Sequence, residues 1–129
     1  MTQDKQIIST DKAPAAIGPY SQAVKVGGLL FMSGQIPVNP SNGAIVSEDI
    51  QEQAKQSLEN LKAVITAAGG SLSDIVKTTI FAVDINDFQA VNKIYAGYFD
   101  NNPPARSFVA VKELPKGAKI EIEAIAYLN

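Results

Sequence analysis

Lys119-Ile120-Glu121-Ile122-Glu123-Ala124-Ile125-Ala126-Tyr127 alternates with a period of two. Ile120, Ile122, Ala124 and Ala126 fall on one side, and Glu121, Glu123, Ile125 and Tyr127 on the other, the pattern of a strand with one face on a core. Upstream, Arg106–Lys112 alternates more weakly and reads as a neighbouring strand. Ile75–Val83 (IVKTTIFAV) is rich in β-branched residues and reads as a buried strand. Tyr20–Val26 and Leu29–Ser33 read as two strands joined by a tight turn at Gly27-Gly28. Pro37–Gly43 (PVNPSNG) has the composition of a loop.

Two helices separate these strands. Ser47 is the expected N-cap of the first, with Glu48, Asp49 and Glu52 beside its positive end. Ile50, Ala54, Leu58, Leu61, Ile65 and Ala68 then recur at helical spacing until Gly69-Gly70 stops the run. The second helix is expected from Asp87 to Phe99, with Phe88, Val91, Ile94, Tyr95 and Tyr98 on one face, and Asn101–Pro104 ends it. The order βββ-helix-β-helix-ββ predicts an α+β two-layer sandwich, a mixed β-sheet with two helices packed on one face. The opposite face, carrying Glu121, Ile125 and Tyr127, has no covering layer, so self-association is expected.

Composition bounds the chemistry. The chain has 129 residues, 46% of them hydrophobic and 19% charged, which excludes a disordered polypeptide and fits a single domain over residues 1–129. No apolar run approaches the roughly 20 residues needed to span a bilayer, and Met1–Asp11 lacks the apolar stretch of a signal peptide. Cysteine is absent, which removes disulfides, thiol nucleophiles and thiolate metal ligands. Histidine is absent too, so the usual proton shuttle is missing and a zinc site is not expected. The formal net charge is −2, with 11 scattered Lys and Arg, which argues against a nucleic-acid surface. A cytoplasmic protein is the resulting expectation, with any catalysis left to carboxylates, hydroxyls, backbone groups, lysine or arginine.

Arg106 follows the restrained segment Asn101-Asn102-Pro103-Pro104-Ala105 and opens a strand, a placement that suits two-pronged binding of a carboxylate or phosphate. A plain surface arginine at a strand end fits the same pattern. Glu121, inside an otherwise apolar strand, could orient or deprotonate a water, or simply belong to a solvated face with Glu123. Gly18-Pro19-Tyr20-Ser21 and Ser33-Gly34-Gln35 each join a turn to a strand and could present amides and a hydroxyl to a ligand, or be ordinary turns. Asn92, near the middle of the second helix, reads equally as a solvated polar residue. No phosphate-binding glycine loop is present, and no lysine carries a sign of depressed pKa.

These candidates belong to a longer pattern. Pro104-Ala105-Arg106-Ser107-Phe108-Val109, Leu114 and Ile120-Glu121-Ile122 resemble the signature of the reactive intermediate deaminase (RidA) family. Ala13–Tyr20 (APAAIGPY), Ser33–Val38 (SGQIPV), Asp74–Thr79 (DIVKTT) and Lys119–Ala126 (KIEIEAIA) are similar to further family blocks, in the expected order along nearly the whole chain. The resemblance implies a chorismate-mutase-like fold and a homotrimer whose sheets form a central barrel, with sites in the clefts between subunits. It implies hydrolysis, without metal or cofactor, of 2-enamino and 2-imino acids such as 2-aminoacrylate and 2-aminocrotonate, which pyridoxal-phosphate-dependent dehydratases release. Products would be 2-oxo acids and ammonia.

By the same resemblance, Arg106 pairs with the substrate carboxylate, Glu121 positions water, and Tyr20, Ser33, Gly34 and Asn92 line the cleft. Phe108 stands where archetypal bacterial members carry cysteine, so its backbone contribution would persist while its ring could narrow the pocket. An endoribonuclease that inhibits translation, and a non-catalytic ligand-binding regulator or chaperone of the same fold, are the alternatives the resemblance leaves.

Overall fold

The computed structural model describes residues 4–129, so the reading of Met1–Asp11 lies partly outside the described residues. Six strands, β1 (Gln6–Ile8), β2 (Ala23–Val26), β3 (Leu29–Gln35), β4 (Ile75–Ala82), β5 (Ala105–Ala110) and β6 (Ile120–Tyr127), form one sheet in the order β1-β2-β3-β6-β4-β5. Helices α1 (Ile50–Ala67) and α2 (Phe88–Tyr98) cover one face. The pair β4–β5 is parallel and the others antiparallel, so the sheet is mixed and the α+β expectation holds.

The alternation of β6 decides this layering. Ile120, Ile122 and Ala126 are fully buried and Ala124 nearly so, packed with Leu58, Leu61, Val64 and Ile65 of α1. Each such Leu or Ile contributes roughly 1.5–3 kcal/mol when fully buried. On the other face Leu29, Phe31, Val109 and Tyr127 remain exposed, with Ile125 half-buried. No helix of the described residues is long and apolar enough to cross a membrane.

Several boundaries differ from the sequence reading. Asp49, not Ser47, caps α1, its carboxylate accepting from the Glu52 amide at 2.9 Å. Ser47 stands two residues earlier, where its hydroxyl accepts from the Asp49 amide at 2.8 Å. Tyr20 lies in a turn ahead of β2 rather than in the strand, and β3 runs on to Gln35. The first strand of the expected order is Gln6–Ile8, within the polar N-terminal stretch and at the sheet edge.

The inner face of α1 also buries polar side chains. Gln53 donates to the Ser47 carbonyl at 2.7 Å and accepts from the Lys119 amide at 2.9 Å. Asn60 donates to the carbonyls of Ile36 and Val38 at 3.2 and 3.0 Å, oriented by Gln56 at 2.8 Å. These bonds satisfy buried backbone groups that no strand partner reaches. They fix the segment that follows β3 and the entry to β6, next to the strand positions of Ser33, Gly34 and Glu121.

Candidate functional site

The residues singled out above form two clusters, on opposite faces of the sheet. The first surrounds Arg106. Register pairs Arg106 with Thr78, and Phe108 with Ile80, on the helix-covered side. The Arg106 Nη1 donates to Asn92 Oδ1 at 2.7 Å. Its Cζ stands 4.9 Å from the ring centroid of Tyr95 and 5.4 Å from that of Phe88. Such cation–π contacts contribute roughly 0.5–2 kcal/mol each and restrict the guanidinium's rotation. Tyr95 is itself tied by its hydroxyl to Thr78 Oγ1 at 2.7 Å, and burial raises its pKa, so it stays neutral beside the cation.

Phe88, Asn92 and Tyr95 therefore form one stripe of α2 at i, i+4 and i+7, and that stripe is a cradle for Arg106. The sequence reading placed Phe88 and Tyr95 on one face of the helix. Their chemistry around a cation was missed, although the spacing of two aromatics and an amide was there to be read. Phe108 meets Phe88 edge-on with ring centroids 5.0 Å apart, so its ring walls the same cluster. One amide acceptor occupies only one of the guanidinium's five N–H donors, which leaves a fork for a planar anion. Beside it a shallow recess of about 370 Å³ opens between Asn92, Ala96, Pro104 and Arg106.

The second cluster lies on the open face. Glu121 pairs in register with Phe81, with its side chain against Gly34. A Cβ at Gly34 would stand 2.6 Å from Glu121 Oε2, so any larger residue would push the carboxylate from this position. The β3–β6 register shifts between Met32 and Gln35, a bulge that frees Ser33 and Gly34 from regular pairing. Burial first, and then the nearby Glu123 charge, raise the Glu121 pKa above the usual carboxylate value. The Ser33 hydroxyl donates to the Ser21 carbonyl at 2.6 Å, tying β3 to the turn that carries Tyr20. Tyr20 is 54% exposed and shares with Gly34 a cavity of about 480 Å³, otherwise walled mainly by Pro14, Ile17, Ile36 and Val38.

Arg106 and Glu121 do not meet within the chain. Two strand spacings and three residues of offset separate their Cα atoms by roughly 14 Å, and the side chains leave opposite faces. Among the described residues no group of three or more His, Cys, Asp or Glu could hold a metal ion.

Fold and clusters together define a small α+β protein built on a mixed sheet with one face left open. The family model described as endoribonuclease L-PSP matches residues 10–128, and the chain belongs to that family, the one its sequence blocks resemble. Human 2-iminobutanoate/2-iminopropanoate deaminase is 52% identical over 95% of this chain and 89% of its own length. The protein of the same name from Salmonella typhimurium is 57% identical, covering 92% of this chain and 94% of its own. Among solved structures, Escherichia coli TdcF with bound serine superposes with a TM-score of 0.92 at 51% identity, covering 96% of this chain and 99% of that one.

Proposed function

We propose that the protein is a 2-iminobutanoate/2-iminopropanoate deaminase that hydrolyses reactive enamine and imine intermediates to 2-oxo acids and ammonia. The observation that carries this reading is the Arg106 guanidinium, held by Asn92 and two rings with most of its donors free for a carboxylate. Relatives bearing that enzyme name, 52% and 57% identical, support it. Because Arg106 and Glu121 leave opposite faces, the working site joins the Arg106–Asn92–Phe108 cluster of one subunit to the Tyr20–Ser33–Gly34–Glu121 cluster of another. The apolar open face provides the association surface, and a homotrimer with three such clefts in a cytoplasmic setting is the assembly we infer.

The chemistry needs little more than placement. Arg106 fixes the carboxylate, and Glu121 takes a proton from a water as that water adds to the imine carbon. The proton returns to the nitrogen, giving a carbinolamine. Transfer of the new hydroxyl's proton to nitrogen breaks the C–N bond and releases ammonia with the 2-oxo acid. An imine is already electrophilic, so positioning and one general base suffice, the latter contributing roughly 10²- to 10⁴-fold. No cofactor is called for.

The test couples a threonine or serine dehydratase to the purified protein and follows decay of the enamine/imine absorbance. Wild type should accelerate decay, and Arg106→Ala should lose on the order of 10²-fold or more, the cost of unpairing a bound carboxylate. No acceleration, or full activity in Arg106→Ala, would sink the proposal. Cleavage of RNA that disappears in Glu121→Ala would instead favour the ribonuclease reading, and binding of 2-oxo acids without turnover would favour a regulator.

A further inference from the structure

The segment Thr10–Tyr20 crosses the sheet's flank as a strap with almost no regular pairing. Among the described residues, its backbone amides beyond Thr10 bond locally: Lys12 to Thr10 Oγ1 at 3.2 Å, Ile17 to the Tyr20 hydroxyl at 3.4 Å, and Tyr20 to the Gly18 carbonyl at 2.9 Å. One side chain replaces the missing ladder. Gln22, only 4% exposed, donates through Nε2 to the carbonyls of Pro14 at 2.8 Å, Thr10 at 3.0 Å and Ala13 at 3.4 Å. Its Oε1 accepts from the Thr10 amide at 2.7 Å. Both ends of the amide thus act as a surrogate strand, its two hydrogens shared over three carbonyls.

The backbone of Gln22 is fixed just as firmly. Its carbonyl accepts from the Ser33 amide at 2.9 Å, while the preceding Ser21 carbonyl accepts from the Ser33 hydroxyl at 2.6 Å. Gln22 is therefore the knot between the strap, the Tyr20 turn and the bulge that carries Ser33 and Gly34. Pro14, Ala15, Ile17 and Tyr20 of the strap line the cavity of about 480 Å³ together with Gln22 itself and Gly34 of β3. Loosening the knot frees the strap's share of that lining from the sheet's share.

We propose that Gln22 is a positioning residue: its side-chain amide locks the Thr10–Tyr20 strap to the sheet and so sets where Tyr20 stands relative to Gly34 and Glu121. The inference rests on the deaminase reading for its kinetic arm only. Gln22→Met keeps the volume and removes every side-chain hydrogen bond, and Gln22→Asn keeps the amide on a shorter arm. In the coupled assay, well below the melting temperature, Gln22→Met should raise KM roughly tenfold and leave kcat within about twofold, the signature of a displaced binding wall. Gln22→Asn should fall between Gln22→Met and wild type, and should carry the comparison if Gln22→Met does not fold. Trypsin cleavage after Lys12 and amide exchange over residues 13–21 should quicken in both variants. The KM effect should vanish in a Tyr20→Ala background, because Gln22 acts through that turn.

Unchanged exchange, or faster exchange with wild-type KM, would overturn the proposal, the second result marking Gln22 as structural only. A wild-type protein without deaminase activity would sink the functional reading instead. Exchange and proteolysis would then still decide whether the amide holds the strap, and binding of 2-oxobutanoate to wild type and variant would replace KM.

Discussion

Adjacent residues of β6 live in different surroundings. Ile120, Ile122, Ala124 and Ala126 face α1 and are at most 3% exposed, whereas Glu123 and Tyr127 on the other side are open and Glu121 and Ile125 only half-covered. The helix-covered face is completed by this chain alone. The open face holds apolar side chains that a single chain leaves in water, together with a carboxylate whose pKa is raised. The site residues divide along the same line, with Arg106 on the covered side and Glu121 on the open one. The roles proposed for Arg106 as anion clamp and Glu121 as proton-transfer group therefore call for a second copy to bring them together.

The largest effect tests that division directly. Arg106→Ala and Glu121→Ala chains should each be inactive alone. Mixed, unfolded and reassembled at equal ratio, they should recover about a quarter of wild-type activity, because one cleft in four draws an intact Arg106 and an intact Glu121 from different chains. A site contained within one chain would give no recovery at any ratio.

Next in size is the contrast in stability. Ile122→Ala should cost about 2–5 kcal/mol in denaturant unfolding at any protein concentration, the usual penalty for truncating a fully buried Ile. Tyr127→Ser on the open face should leave the isolated fold nearly as stable. It should weaken association instead, seen as a lower mass in light scattering and an unfolding midpoint that depends on concentration. Equal, concentration-independent losses at the two positions would remove the distinction between the faces.

Much of this architecture could be read before any coordinates. The period-two run of β6 and the helical spacing of α1 each persist over enough residues to exclude the other element, and the uncovered face followed from counting layers. The bonds that hold the sites together were not legible. Gln22, Gln53 and Asn60 look like ordinary polar residues, and their roles depend on carbonyls and amides 6 to 66 residues away. The cap at Asp49 was missed because Ser47 and Asp49 are both good capping residues, and only backbone geometry chooses between them. The three residues of β1 are too few to show a period, and Arg106 could not be assigned a face until its parallel register with β4 was known.

The smallest effect separates what Glu121 does for folding from what it does for reaction. Its folded pKa is raised, chiefly by burial, so the fold favours the protonated form. That contribution to stability is fully present below the unfolded value of about 4.3 and is lost as pH rises through the higher folded value. Glu121→Gln mimics the neutral form, so its melting temperature should exceed wild type near pH 7, with the difference shrinking to nothing as pH falls below the ordinary glutamate range. Activity should move the opposite way over the same window, since a base that accepts a proton from water must be ionised. The acid limb of kcat/KM should have its midpoint above the ordinary glutamate value and should be missing from the residual activity of Glu121→Gln. A limb that persists in that variant would assign the proton to another group and leave Glu121 as a carboxylate that only shapes the open face.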